Sequence, residues 1–167
     1  MIDKAGKDSK SKGGIDAIVE FYTAADEIGR LETGLGRLEF VRTKEIVMRY
    51  LPKPPATILD VGGAGGRYSL WLASEGYGVH LIDPVPSHIE AARRAAAAQP
   101  DAHLLSARVG DARTLEFPDS TADALLMFGP LCHIVASSDR LGAIREAGRV
   151  IKPGGLLFAV GISRLAS

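Results

Sequence analysis

The chain has one cysteine, Cys132, among 167 residues. An intramolecular disulfide is therefore impossible and a cysteine-rich metal centre is excluded, which fits a reducing compartment. Net charge is missing as well, because 20 lysines and arginines balance 20 aspartates and glutamates. No charge excess advertises a nucleic acid or an anionic membrane, and neither is expected as a partner. Apolar runs are short. Stretches such as 154–162 fall well below the roughly 20 residues that a membrane-spanning helix needs. Residues 1–14 carry Lys4, Lys7, Lys10 and Lys12 among small and polar residues, with no apolar stretch for a signal peptide. They read as a flexible arm or an expression remnant, and a cytoplasmic protein is expected. What the sequence does have is 46% hydrophobic and 24% charged residues, ordinary proportions for a folded domain. At roughly 150 residues per domain, one domain accounts for the whole length.

Ile15, Ile18, Val19, Tyr22 and Ala25 recur at amphipathic-helix spacing and predict a first helix over 15–31. Gly34 and Gly36 predict a break, and a second helix follows that carries Leu38, Val41, Val47, Tyr50 and Leu51 and stops near Pro52. Gly-Arg-Leu-Glu occurs at 29–32 and again at 36–39, too little to make a repeat protein. From Thr57 onward short apolar runs alternate with helical stretches, the signature of βαβ units and a mostly parallel sheet. Strands are predicted at 57–61, 78–83, 103–109, 122–128 and 156–162. Ser87 and Glu90 form an S-x-x-E capping box ahead of the alanine-rich run 91–98. Another helix is predicted from about Asp139 to Ile151, with Pro153-Gly154-Gly155 as its stop.

The segment Ile58-Leu59-Asp60-Val61-Gly62-Gly63-Ala64-Gly65-Gly66-Arg67-Tyr68 runs from a strand through a glycine-rich turn into a helix. Ligands bind at such turns in open α/β sheets, where glycine lets the backbone approach closely and the helix start offers unpaired N–H groups. A tight turn alone does not need four glycines in five positions. The dinucleotide pattern G-x-G-x-x-G puts its third glycine at Arg67 or Tyr68, and both fail. Asp83, at the tip of the next strand, is placed to accept bonds from both hydroxyls of a ribose. Asp111 follows the third strand in Gly110-Asp111-Ala112, where the alternative reading is an ordinary cap.

Asp60, Gly62, Gly63, Ala64 and Gly66 resemble motif I of the class I S-adenosylmethionine-dependent methyltransferases. Ala64 departs from the family's middle glycine, and its methyl group requires a backbone at negative φ. Gly110-Asp111-Ala112 looks like the family's adenine corner, with the Asp111 carboxylate accepting from the adenine amino group. Phe117-Pro118-Asp119, Asp123-Ala124-Leu125-Leu126, the strand tip Phe128-Gly129-Pro130 and Arg149-Val150-Ile151-Lys152-Pro153-Gly154-Gly155 resemble later family segments in the right order. Upstream, Glu27, Arg30-Leu31, Leu38-Glu39 and Arg42-Thr43 resemble a subset in which the N-terminal helices lie over the cofactor. Arg37 or Arg42 would then pair with the methionine carboxylate, whose ammonium lies near Asp60. The bland alternative is a solvated helix face.

The resemblance implies a Rossmann-like α/β fold with strand order 3-2-1-4-5, the family's last two strands missing. It divides the chain into the arm 1–14, a helical segment 15–53 over the cofactor and an α/β domain 54–167. It implies S-adenosylmethionine as cofactor, held by Asp60, Gly62, Gly63, Ala64, Gly66, Asp83, Asp111, Ala112, Phe128 and Arg42, and methyl transfer to a small-molecule acceptor. His133, at a strand tip, is the candidate general base or acceptor contact. His80, His88 and His103 are dispersed and make no metal set. The competing readings are a cofactor-binding fragment without turnover and a nicotinamide-dependent oxidoreductase. The apolar fifth strand is expected at a sheet edge with unpaired backbone groups, a surface for a homodimer or domain exchange unless a longer parent chain covers it.

Overall fold

A computed structural model describes residues 34–162 together with Val19 and Leu31. The arm 1–14 and, apart from those two residues, the helix predicted over 15–31 lie outside the described residues, as do 163–167. The described chain begins with α1 (Gly34–Tyr50) and continues through β1 (Thr57–Val61), α2 (Arg67–Ser74), β2 (Gly78–Asp83), α3 (Pro86–Ala97) and β3 (Ser106–Val109). It ends with β4 (Ala122–Met127), the short α4 (Pro130–His133), α5 (Ser137–Val150) and β5 (Ile151–Ala159). The strands form one sheet of order β3-β2-β1-β4-β5 with every neighbouring pair parallel. Strand order reverses between β1 and β4, so the crevice at their C-terminal ends is the point where open α/β sheets bind ligands.

Strand side chains alternate between two faces. On β1 and β4, Ile58, Ala124 and Leu126 enter a core with Tyr68, Leu70, Trp71 and Leu72 of α2, to which Val47 of α1 and Leu31 also belong. Leu59, Val61, Leu125 and Met127 enter the opposite core with Ala143, Ala147 and Val150 of α5. Leu59, Leu125 and Leu126 are fully buried, each worth roughly 1.5–3 kcal/mol of apolar transfer. The same alternation puts Asp60 on the α2 side, and that decides its chemistry below.

Several predicted details differ, among them Gly36, which lies inside α1 rather than before it. The capping box does not form: α3 starts at Pro86 with Val85 as N-cap and no side-chain cap. Proline at the first helical position fixes the start one residue ahead of Ser87. The third strand is confined to Ser106–Val109, the residues in register with His80–Asp83. The fifth strand begins at Ile151 rather than Leu156, and Pro153-Gly154-Gly155 lies inside it. The ladder shifts register between Ala122 and Ala124, and a Cβ on Gly155 would lie 2.8 Å from the Asp123 carbonyl oxygen. A bulge therefore absorbs the Pro-Gly-Gly run that the sequence pattern reads as a helix stop. Among the described residues β5 pairs only with β4, and Leu157 on this strand and Val160 just past it are exposed.

Candidate functional site

The chain leaves β1 through Gly62 at φ 74°, Ala64 at φ 48° and Gly66 at φ 81°. Left-handed backbone at alternate positions turns the strand back into α2, whose N-cap is Gly66. Gly62 is glycine for a second reason: a Cβ there would lie 2.6 Å from Cδ of Pro130, on the segment after β4. At Gly63 a Cβ would lie 2.5 Å from Asp60 Oδ2 and from Leu81 Cδ1. The turn is thus pressed onto both neighbouring strand ends. Ala64 does not have the negative φ that its methyl group calls for. Its left-handed backbone costs about 1–2 kcal/mol, and in this conformation the Ala64 N–H donates to Asp83 Oδ2 at 2.8 Å.

Asp60 lies beneath the turn and is 2% exposed. Its Oδ2 accepts from the Ser69 hydroxyl at 2.6 Å, and the Ser69 backbone N–H also donates to the carboxylate. One of the otherwise unpaired amides of the first turn of α2 is satisfied in this way. Burial pushes the Asp60 carboxyl up to about 6, helped by the nearby Asp83 charge and opposed by the Ser69 bonds. Ser69 was not singled out in the sequence. The spacing that finds it is an acid one residue before the strand end and a serine at the third position of the next helix.

Asp83 ends β2 and is 4% exposed. Besides Ala64, it accepts from the Val85 N–H at 2.9 Å and from His88 Nδ1 at 3.0 Å, both on Oδ1. His88 is itself 4% exposed. In the sequence it is one of several dispersed histidines, and its place five residues after a strand-tip acid and in the first turn of α3 is the signal that finds it. Asp83 therefore ties the glycine turn to the start of α3.

Asp111 and Ala112 follow β3. Ala112 is buried in the α5-side core. The Asp111 carboxylate takes Arg113 in a fork, with Nε at 2.9 Å and Nη2 at 2.6 Å from Oδ2, and Arg113 also reaches Asp139 of α5 at 3.0 Å. Phe128, just past β4, packs against Tyr68 of α2 with centroids 5.0 Å apart, and Tyr68 packs in turn on Phe40 of α1 at 5.0 Å. These aromatics form a wall from α1 to the β4 tip. His133 ends α4 and is half-buried. Arg42 lies on an exposed face of α1, where it pairs with Glu45.

The structure thus gathers Asp60, Gly62, Gly63, Ala64, Gly66 and Asp83 into one unit, with Pro130 of the β4 tip packed on it. The residue chemistry fits the cofactor implied by the resemblance. A slim backbone turn at the switch point suits close approach of an adenosyl group, and a carboxylate at the β2 tip suits its ribose.

Residues 59–159 match the methyltransferase-domain family. A ubiquinone biosynthesis O-methyltransferase of Methylocella silvestris is 36% identical over 118 residues, covering 70% of this chain and 44% of that protein. A ubiquinone/menaquinone biosynthesis C-methyltransferase of Acidiphilium cryptum is 30% identical over 166 residues, covering 98% of this chain and 63% of that protein. The chain therefore spans between 44% and 63% of the length of these relatives. Among solved structures, an S-adenosylmethionine-dependent methyltransferase of Methanosarcina mazei is 33% identical with a TM-score of 0.65, covering 72% of this chain and 58% of that one.

Proposed function

The chain belongs to the methyltransferase-domain family, and from that membership we propose that it binds S-adenosylmethionine and transfers the methyl group to a small-molecule acceptor. The observation that carries the reading is the joined unit at the switch point: the glycine-rich turn after β1, bonded through the Ala64 N–H to Asp83 at the β2 tip. The turn gives an adenosyl group close access to backbone, and Asp83 supplies the ribose acceptor. Asp60 acts from beneath, by holding Ser69 and so the start of α2. S-adenosylmethionine supplies a methyl group already activated on a sulfonium. The work left to the chain is to hold donor and acceptor in line, which is worth about 7–11 kcal/mol of the barrier.

An aromatic-ring acceptor is the class that the surroundings favour. The half-buried Phe40 and Phe128 flank the buried Tyr68, and flat rings pack on such exposed ring faces at centroid distances of roughly 4.5–7 Å. Two relatives carry names from quinone biosynthesis, which points the same way. His133 is proposed to receive the proton that leaves a ring hydroxyl or ring carbon as methylation proceeds. Self-association is proposed along the open edge of β5, and light scattering tests it.

The test is incubation with methyl-labelled S-adenosylmethionine and a panel of demethylated hydroquinones, catechols and aliphatic amines. Label in an aromatic product supports the reading. Label only in the amines overturns the acceptor class, and cofactor binding with no label in any acceptor overturns turnover by this chain.

A further inference from the structure

The sequence pattern places Asp83 to accept both ribose hydroxyls, and the structure leaves less room than that. A carboxylate offers about four lone-pair sites. On Oδ1 the Val85 N–H at 2.9 Å and His88 Nδ1 at 3.0 Å occupy two. On Oδ2 the Ala64 N–H at 2.8 Å occupies a third. One site remains, on Oδ2. The Oδ1 side is closed by a buried pair, with the side chains of His88 and Asp83 only 4% and 6% exposed. Because its partner is an acceptor, His88 Nδ1 carries the proton. His88 is anchored in turn, since its backbone N–H donates to the Val85 carbonyl at 3.1 Å in the first turn of α3.

We propose that His88 is a positioning residue for ribose recognition: by saturating Oδ1 together with the Val85 N–H, it makes Oδ2 the only ribose acceptor of Asp83, so that this carboxylate takes one ribose hydroxyl and not two. The inference rests on the cofactor reading given above. It assigns specificity to a contact between two protein side chains, and its consequence is asymmetry. Removing one hydroxyl of the ligand weakens binding, whereas removing the other leaves the Asp83 contact intact.

The experiment is isothermal titration of the full chain with S-adenosylhomocysteine and with its 2′-deoxy and 3′-deoxy analogues. Wild type, His88→Asn and His88→Leu are compared, and Trp71 fluorescence reports whether each is folded. Wild type is expected to lose about tenfold or more in affinity for one deoxy analogue, as loss of a charge-assisted bond implies, and little for the other. His88→Leu, which lacks the donor, is expected to bring the ratio of the two analogues close to one. His88→Asn, whose side-chain amide can stand in for Nδ1–H, is expected to preserve it. A ratio unchanged in His88→Leu, with that variant folded, overturns the proposal. Equal losses for both analogues in wild type also overturn it, and that arm needs no variant. Absence of any S-adenosylhomocysteine binding to wild type overturns the cofactor reading and this inference together, whereas symmetric losses with intact binding overturn this inference alone.

Discussion

Replacing Asp60 by asparagine changes how stability depends on pH, and the size of the change follows from the burial of this one carboxyl. Asp60 titrates at 3.8 when unperturbed, and burial raises it to about 6 in the folded chain. Between those values the folded state keeps a proton that the unfolded state has released. Stability therefore falls as pH rises from about 4 to about 6. A gap of about 2 units corresponds to about 3 kcal/mol at 1.36 kcal/mol per unit. Asparagine does not titrate. Its different hydrogen bonding to Ser69 adds a constant offset, which cancels when the variant is compared with wild type across pH. The expected outcome is that the stability of Asp60→Asn relative to wild type rises by about 3 kcal/mol between pH 4 and pH 7. Trp71, the only tryptophan of the chain, is 8% exposed in the α2 core and reports unfolding by its fluorescence. With urea slopes of about 1–3 kcal/mol/M, the two midpoints should separate by about 1–3 M over that range. A difference that stays constant with pH, or that shrinks as pH rises, refutes the argument that Asp60 is buried as a costly anion.

Gly63→Ala would place a Cβ 2.5 Å from Asp60 Oδ2 and Leu81 Cδ1; overpacking of about 1–3 kcal/mol is expected, seen as a melting temperature about 3–10 °C lower. Ala64→Gly should act in the opposite direction, because glycine relieves the left-handed strain at φ 48°. After the greater chain entropy of unfolded glycine is set against it, a gain of about 0.5–1 kcal/mol is expected by the same thermal measurement. Glu146 is held down to about 2, chiefly by its hydrogen bonds from Arg149, so its contribution is complete above its ordinary 4.5 and is lost as pH falls through the folded value. Glu146→Gln should therefore be less stable than wild type at pH 7, with the two unfolding curves converging during acid titration between about pH 4.5 and pH 2.

Much of this was legible because it is local. Strands 57–61 and 78–83 were found at their observed limits, since apolar runs bounded by turn residues mark buried parallel strands. Asp60 and the glycines could be read together because a strand-turn-helix junction sets them within a few residues of one another, whereas Asp83 was singled out from its place at the tip of the next strand. What escaped depends on how elements meet. Ser87 and Glu90 carry a sound capping signal, yet Pro86 starts α3 before it and Asp83 takes the Val85 amide. Pro153-Gly154-Gly155 reads as a stop, but the register shift beside Asp123 lets β5 run through it. Ala64 adopts the left-handed backbone because its N–H turns to Asp83 on another strand, a demand invisible in its own neighbours. His88 and Ser69 act on carboxylates five and nine residues away.

The most direct test of the central claim is isothermal titration of the chain with S-adenosylmethionine, repeated on Asp83→Ala. Saturable binding of one molecule per chain, weakened at least about tenfold in the variant as loss of charge-assisted ribose bonding implies, is the predicted result. No heat with S-adenosylmethionine, or preferential binding of NADH, would contradict it.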